Sequence, residues 1–382
     1  MRPVPALLII IVAFLLAACS GNSRSVTDNG IAGDSKMKHA RRFTIERHND
    51  YSVLTITDPW QGAKEIHQEY ILAERGKILP QTIDTSKLIR VPLKRIIAMS
   101  TTYLPMITAL GERSSLAGIS GSSLLYDTSI INAVKKGVIS DVGYDDNLDK
   151  EQIIKIGPDL VMVYGVGGES SALVNKLKDL GFKVMYNADY LEEDPLGKAE
   201  WLKVFGALFC RERMADSIFS NIERSYDSVK TYVSTNSKNR PEVMLGLPWK
   251  DTWYISPGNS YISNLIDDAG GEYLWKGSSS ETAMPCSLES VWMKALNAEY
   301  WLNISTVRSR SEILAVDPRL GELPPFRSGK MFNNVKRISS NGGIDYWESG
   351  ALKPHIILRD LAMILHPELF NSEDFYYYIR VR

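Results

Sequence analysis

Between residues 42 and 91 apolar and polar positions alternate in the way a half-buried strand requires. Phe43-Thr44-Ile45 and Tyr51-Ser52-Val53-Leu54-Thr55-Ile56 place every second side chain on one face. His48-Asn49-Asp50 between them has turn chemistry, so a β-hairpin is expected. From Arg95 the pattern changes to short apolar runs separated by helical periods. Arg95-Ile96-Ile97-Ala98-Met99 reads as a buried strand, and Ser100-Thr101-Thr102 caps a helix running to Leu110, with Gly111 as its stop. Strand Leu116–Ile119, helix Glu151–Ile156, strand Pro158–Val163, helix Ser170–Leu180 and strand Lys183–Tyr186 follow. Strands alternating with helices predict a parallel sheet.

From Trp201 to Val233 the period is helical throughout. Apolar side chains stand at 201, 204, 205, 208 and 209, then at 215, 218, 219, 222, 226, 229 and 233. The pattern pauses at Cys210-Arg211, which predicts two helices. The second, of about 22 residues, would be about 33 Å long, a stiff spine between two domains. Beyond the polar stretch Ser234–Arg240 the alternation resumes. Strand Val243–Leu247, helices Tyr261–Ala269 and Ser287–Leu296, strands Tyr300–Ile304 and Lys330–Phe332, and a closing helix His355–Leu365 stopped by His366-Pro367 are expected. The fold class is therefore α/β, with two parallel-sheet lobes joined by a long spine helix and a cleft between them.

The first residues carry a different signal. Met1 and Arg2 precede an apolar run from Val4 to Ala18, about 15 residues, short of the ~20 that span hydrocarbon as a helix. A basic start and an apolar core of this length read as a secretory signal. It ends in Leu16-Ala17-Ala18-Cys19, which resembles the bacterial lipobox, whose cysteine is acylated and becomes the mature N-terminus. Residues 20 to about 40 are rich in Ser, Gly, Asp and Lys and cannot bury a core. The expected division is a signal over 1–18 and a flexible tether over 19–41, beginning at lipidated Cys19. A hairpin lead-in covers 42–91, an N-terminal lobe 92–200, linking helices 201–234 and a C-terminal lobe 240–382.

Composition narrows the partners. The chain is 44% hydrophobic and 23% charged with a formal charge of −1. These are ordinary globular values, and the absence of a basic block argues against nucleic acid. Cys210 and Cys286 would meet an oxidising compartment, but their spacing does not demand a bridge, and no CxxC zinc pattern occurs.

Several stretches together resemble the periplasmic binding proteins for ferric siderophores, haem and cobalamin, whose two lobes are joined by one long helix. Val91-Pro92-Leu93-Lys94-Arg95-Ile96-Ile97-Ala98-Met99-Ser100 with Leu110-Gly111 is similar to that family's opening strand and helix. Glu151-Gln152-Ile153-Ile154-Lys155-Ile156-Gly157-Pro158-Asp159-Leu160-Val161 resembles its E-x-I-x-x-x-x-P-D-L-V element, and Ser287-Leu288-Glu289 its counterpart in the second lobe. Asp345-Tyr346-Trp347-Glu348 followed by Pro354-x-Ile356-Ile357-Leu358 resembles the C-terminal element of cobalamin-binding members. The resemblance covers residues 91 to 369. It implies the substrate-binding component of an ABC importer, partnered by a permease and its ATPase.

Open α/β sheets place their crevices at the C-terminal ends of strands. That selects Ser100–Tyr103, Gly165–Gly168, Pro248–Tyr254 and Asp345–Ser349, loops that carry Tyr103, Trp249, Trp253, Tyr254, Tyr346 and Trp347. Rigid aromatic faces with a polar edge suit a corrin or porphyrin ring. Asp345 would accept hydrogen bonds from ligand amides, or serve the turn. Gly165–Gly168 is read as a loop leaving room for the ligand. Glu151 and Glu289 begin short helices, where the helix dipole favours an acid. In the resembling family a glutamate on each lobe docks onto permease arginines, which implies permease docking for both. The resemblance puts cobalamin or another corrinoid first and a ferric siderophore or haem second. Siderophore binders commonly need cations, and the selected loops hold only Lys250, with Lys276 or Arg327 able to reach in.

An enzyme would need a nucleophile or base. None of the five histidines falls in the selected loops, and no nucleophile elbow occurs. Paired carboxylates for glycoside hydrolysis stand within about 10 Å, whereas helix starts on separate lobes are farther apart. The expectation is a monomeric binding protein with no cofactor or metal of its own, lipid-anchored on the extracytoplasmic face of a membrane. A non-transport sensor or adhesion lipoprotein of the same fold is the alternative.

Overall fold

The computed structural model describes residues 37–144, 147–165 and 167–382. The signal, Cys19 and most of the tether lie outside the described residues. Residues 37–41 were expected to belong to the flexible tether. They are instead pinned to the body, because buried Glu200 accepts the amides of Lys38, His39 and Ala40 at 2.8–3.2 Å. Glu192 accepts those of Arg41 and Arg42 at 3.0–3.1 Å.

The expected hairpin forms, with Phe43 opposite Ile56 and Arg47 opposite Ser52. It is half of a larger unit. Strand His67–Glu74 joins it antiparallel and Leu88–Val91 adds in parallel, giving a four-stranded sheet. The continuous buried run Tyr70–Ala73 shows no alternation, so period-two reasoning passes over it.

The N-terminal lobe is built on a five-stranded parallel sheet in the order Ser140–Asp141, Leu116–Ile119, Ile96–Ala98, Leu160–Val163, Val184–Tyr186. The last three are buried at every position, as strands covered by helices on both faces must be. Helix Lys150–Ile156 begins where Asp149 accepts from the Gln152 amide and ends at Gly157 in the left-handed region, which puts Glu151 in its exposed first turn. Sequence periodicity missed helices Thr128–Lys135 and Pro195–Glu200, each under nine residues.

The pause at Cys210-Arg211 separates helices Leu202–Phe209 and Glu212–Asn236, the second 25 residues long. They cross closely, since a Cβ on Gly206 would stand 2.8 Å from the Ala215 Cβ. The long helix also packs on the closing helix Pro354–Leu365.

In the C-terminal lobe Glu242–Leu245 lies between Glu272–Tyr273 and Tyr300–Leu302. Met331–Asn333 and an antiparallel edge strand Ile379–Arg380 complete the sheet. A separate hairpin pairs Thr252–Ile255 with Met284–Ser287. Ser287 then caps helix Leu288–Ala295 by accepting from the Ser290 amide, which sets Glu289 in the first turn. Cys210 and Cys286 are both free thiols.

Candidate functional site

The two lobes enclose a cleft of about 1100 Å³, lined from both sides. Small-molecule sites run from about 300 to 1,000 Å³, so this one suits a bulky ligand. On the C-terminal side it opens at the end of strand Glu242–Leu245. There Gly246 turns away with φ of 79°, and its carbonyl accepts the Trp301 indole N–H at 2.7 Å. The Trp253 indole N–H donates to the Leu245 carbonyl at 2.9 Å, so two buried indoles hold this lip.

That geometry corrects one expectation. Trp253 and Tyr254 are successive strand residues, and successive side chains leave opposite faces. Trp253 is 1% exposed in the core, whereas Tyr254 is 52% exposed and lines the cleft. Trp249 is exposed but outside the lining, where the Lys250 ammonium lies 4.5 Å from its ring centre. Tyr103 is also a core residue. The Ser100 hydroxyl accepts the Thr102 amide, and the tight turn that results sends Tyr103 inward toward Phe205, leaving Thr102 at the cleft.

The loop from Asp345 divides its residues by role. Asp345 is 2% exposed, and its Oδ2 is held by Arg337 Nε at 2.6 Å, so it serves the loop and not a ligand. Tyr346 belongs to the cleft lining although it is only 4% exposed, and burial pushes its phenol up to about 12. The Tyr346 and Trp347 rings meet nearly perpendicular, with centres 4.9 Å apart at 84°. On that pedestal Trp347 stands 58% exposed in the lining. Glu348 crosses between lobes, accepting the Tyr126 amide at 2.7 Å and the Asp127 amide at 2.9 Å. Burial pushes its carboxyl up to about 7, against the pull of those two donors. Ser339 Oγ donates to the Leu125 carbonyl at 2.8 Å, and Gly343 lies against the same stretch of backbone, where a Cβ would collide.

The N-terminal side contributes groups that sequence reasoning missed. Trp60, Tyr190 and Lys198 line the cleft, as do Arg42 and Lys64. Arg42 is engaged by the Leu191 and Asp58 carbonyls at 3.2 and 3.1 Å. Lys198 lies 5.2 Å from the ring centre of Tyr261, across the lobes. The signal for Trp60 was present in Asp58-Pro59-Trp60-Gln61-Gly62, a turn-forming run with an aromatic at its centre. The cations expected to reach in do not line the cleft. Lys276 binds Asn264 Oδ1 at 3.0 Å, and Arg327 pairs with Glu322. Gly165 leaves room for Trp60 rather than for a ligand, since a Cβ there would stand 2.4 Å from the Trp60 Cβ. Val166 lies outside the described residues.

Glu151 is exposed and has no ion-pair partner among the described residues, while Glu289 is exposed with Arg319 Nη1 at 3.4 Å. Arg319 is held more closely by Asp317, at 2.7 Å.

The sequence pattern of the periplasmic binding protein family matches residues 96–329. An uncharacterised lipoprotein of Methanocaldococcus jannaschii is 27% identical over 94% of this chain and 89% of its own length. The fold is similar to that of a periplasmic haem-binding protein from Pseudomonas aeruginosa, with a TM-score of 0.56 at 17% identity over 72% of this chain and 93% of that one. It is also similar to a periplasmic vitamin B12-binding protein of Vibrio cholerae, with a TM-score of 0.52 at 14% identity over 74% and 99% of the two chains.

Proposed function

Given that this chain belongs to the periplasmic binding protein family, a substrate-binding class that serves ABC-type importers, we propose that it captures a cobalamin or other corrinoid in the interlobe cleft and hands it to a permease. The carrying observation is the cleft itself. It holds about 1100 Å³, and its lining includes exposed Trp347 and Tyr254 together with buried Tyr346. Rigid aromatic surfaces of this kind bind a large ring at low entropic cost. The lining cations are already engaged by carbonyls, a ring face or an acid, which suits a ligand whose periphery is mostly amide. The similar folds include one protein that binds haem and one that binds vitamin B12, both large rings.

A second reading, an anionic chelate such as haem or a ferric siderophore, draws on Arg42, Lys64 and Lys198 in the lining. Titration of the mature protein with cyanocobalamin, haem and a ferric hydroxamate siderophore decides between them. Submicromolar binding of the corrinoid alone is expected, and binding of none of the three sinks the reading.

Lipid attachment at Cys19 and docking through Glu151 and Glu289 belong to the same proposal. Lipoprotein character is supported by the name of the Methanocaldococcus relative. Docking is supported by the exposed placement of both glutamates in first helical turns, one on each lobe.

A further inference from the structure

The family pattern begins at residue 96, so the four-stranded N-terminal sheet lies outside the matched region. Its strands Ser52–Thr57 and His67–Glu74 are joined by residues 58–66, and this connection is built to hold one position. The Asp58 amide donates to the Ile66 carbonyl at 2.8 Å, and Asp58 Oδ1 accepts the Ile66 amide at 3.1 Å, closing the base of the loop. The Gln61 amide donates to the Gly165 carbonyl at 3.2 Å, and the Tyr190 hydroxyl donates to the same oxygen. The missing side chain at Gly165 is what admits the Trp60 backbone to the N-terminal lobe. The Trp60 ring leans on Tyr186, with centres 5.2 Å apart at 50°.

A tryptophan needed only for packing would be buried. Trp60 is half-buried, and with Gln61, Gly62, Ala63 and Lys64 it lines the cleft. At the far end of the loop Lys64 Nζ comes within 3.8 Å of Glu281 Oε2 on the C-terminal lobe. This exposed pair adds little energy, but it shows that the two loops meet across the cleft.

We propose that Trp60 is a ligand-specificity residue, the aromatic wall that the N-terminal sheet adds to the cleft, against which one face of a ring-shaped ligand is pressed. Trp347 and Tyr254 supply the wall from the other lobe. The proposal rests on the reading of the cleft as the site for a large ring, and adds which part of the chain selects it. A ring held between two fixed aromatic faces gains contact on both sides, whereas a compact octahedral chelate gains it on neither. The N-terminal sheet would thus discriminate by shape.

The test is calorimetric titration of the wild type, Trp60→Leu, Trp60→Phe and Trp347→Ala with cyanocobalamin, haem and a ferric hydroxamate siderophore. Trp60→Leu keeps apolar bulk against Tyr186 and is expected to weaken the bound ring by at least about fivefold, with Trp60→Phe much closer to wild type. A smaller loss in Trp60→Leu, alongside a clear loss in Trp347→Ala, overturns the role of Trp60 while leaving the cleft assignment standing. If the wild type binds no probe, the cleft assignment itself fails and this inference with it. A second measurement needs no variant. Oxidation of Trp60 in the wild type, read by peptide mass spectrometry, is expected to be suppressed by the bound ring. Equal oxidation with and without it overturns the proposal, even if Trp60→Leu does not fold.

Discussion

Trp253 and Tyr254 are neighbours with nearly the same chemistry, yet one holds the core together and the other faces the cleft. Adjacent aromatic letters in a loop-like stretch do not reveal the strand pairing with Met284–Ser287 that sends them to opposite faces. Tyr346 and Trp347 divide in the same way, the first buried as a pedestal and the second standing on it. Substitution should expose the difference. Trp347→Ala should weaken ligand affinity by about 1–3 kcal/mol with little effect on unfolding, because its ring is already largely in solvent. Trp253→Ala removes a fully buried indole and its bond to Leu245, and should cost about 3–5 kcal/mol of stability. Calorimetry beside chemical unfolding separates them, and equal stability losses in both variants would count against the division. The candidates Tyr103, Trp253 and Asp345 were legible as residues of the right chemistry. Their burial was not, because it depends on which way each backbone turn points the side chain.

At the scale of elements, the strand–helix series was readable wherever a period ran for a full turn or more. The break at Cys210-Arg211 and the stop at Gly111 are local events with local signals. What escaped were elements whose partners are remote, such as strand His67–Glu74 and the anchored segment 37–42. That segment is held by Glu192 and Glu200, roughly 150 residues or more downstream. The His39 ring adds contacts to Asp194 at 3.1 Å and Glu223 at 2.7 Å. Glu200→Ala would leave the amides of Lys38, His39 and Ala40 without their acceptor. A cost of about 2–3 kcal/mol is expected, since buried unpaired donors are expensive. Trypsin should then cut at Lys38, Arg41 and Arg42 while the wild type resists. Equal resistance in the variant would show that the segment is held by packing alone.

For the whole molecule the question is what joins the lobes. Besides the long helix, the loop Ser339–Glu348 clasps the start of helix Thr128–Lys135, and Glu348 is the acid that accepts its leading amides. Asp127, Asp345 and Arg337 face or flank it. The folded pKa of Glu348 is raised from the ordinary 4.5 to about 7, so the folded state holds the proton more tightly than the unfolded chain. Its contribution is therefore fully present below about 4.5 and is lost as pH rises through about 7. Relative to Glu348→Gln, the wild type should lose on the order of 2 kcal/mol between pH 5 and pH 8. Unfolding of both proteins across that range reads the difference directly, and a flat difference contradicts it. Delivery belongs to the same scale. Glu151→Arg with Glu289→Arg should leave ligand affinity nearly intact, since neither residue lines the cleft and the Glu289–Arg319 pair is exposed. Uptake through the cognate permease should fall sharply as like charges meet. Wild-type uptake by this double variant would refute docking.

Periodicity, caps and stops along the chain determined the two α/β lobes, the paired linking helices and the first-turn placement of Glu151 and Glu289. Each of these follows from interactions within a few residues or within one amphipathic face. Only the tertiary structure decided which aromatics meet in the cleft, that Asp345 is spent on Arg337, and that Glu348 spans the lobes. It also brought in Trp60, Arg42, Lys64 and Lys198. Those outcomes depend on chain segments far apart in sequence being pressed together, and no local pattern of hydrophobic and polar positions records which remote partner a side chain will meet.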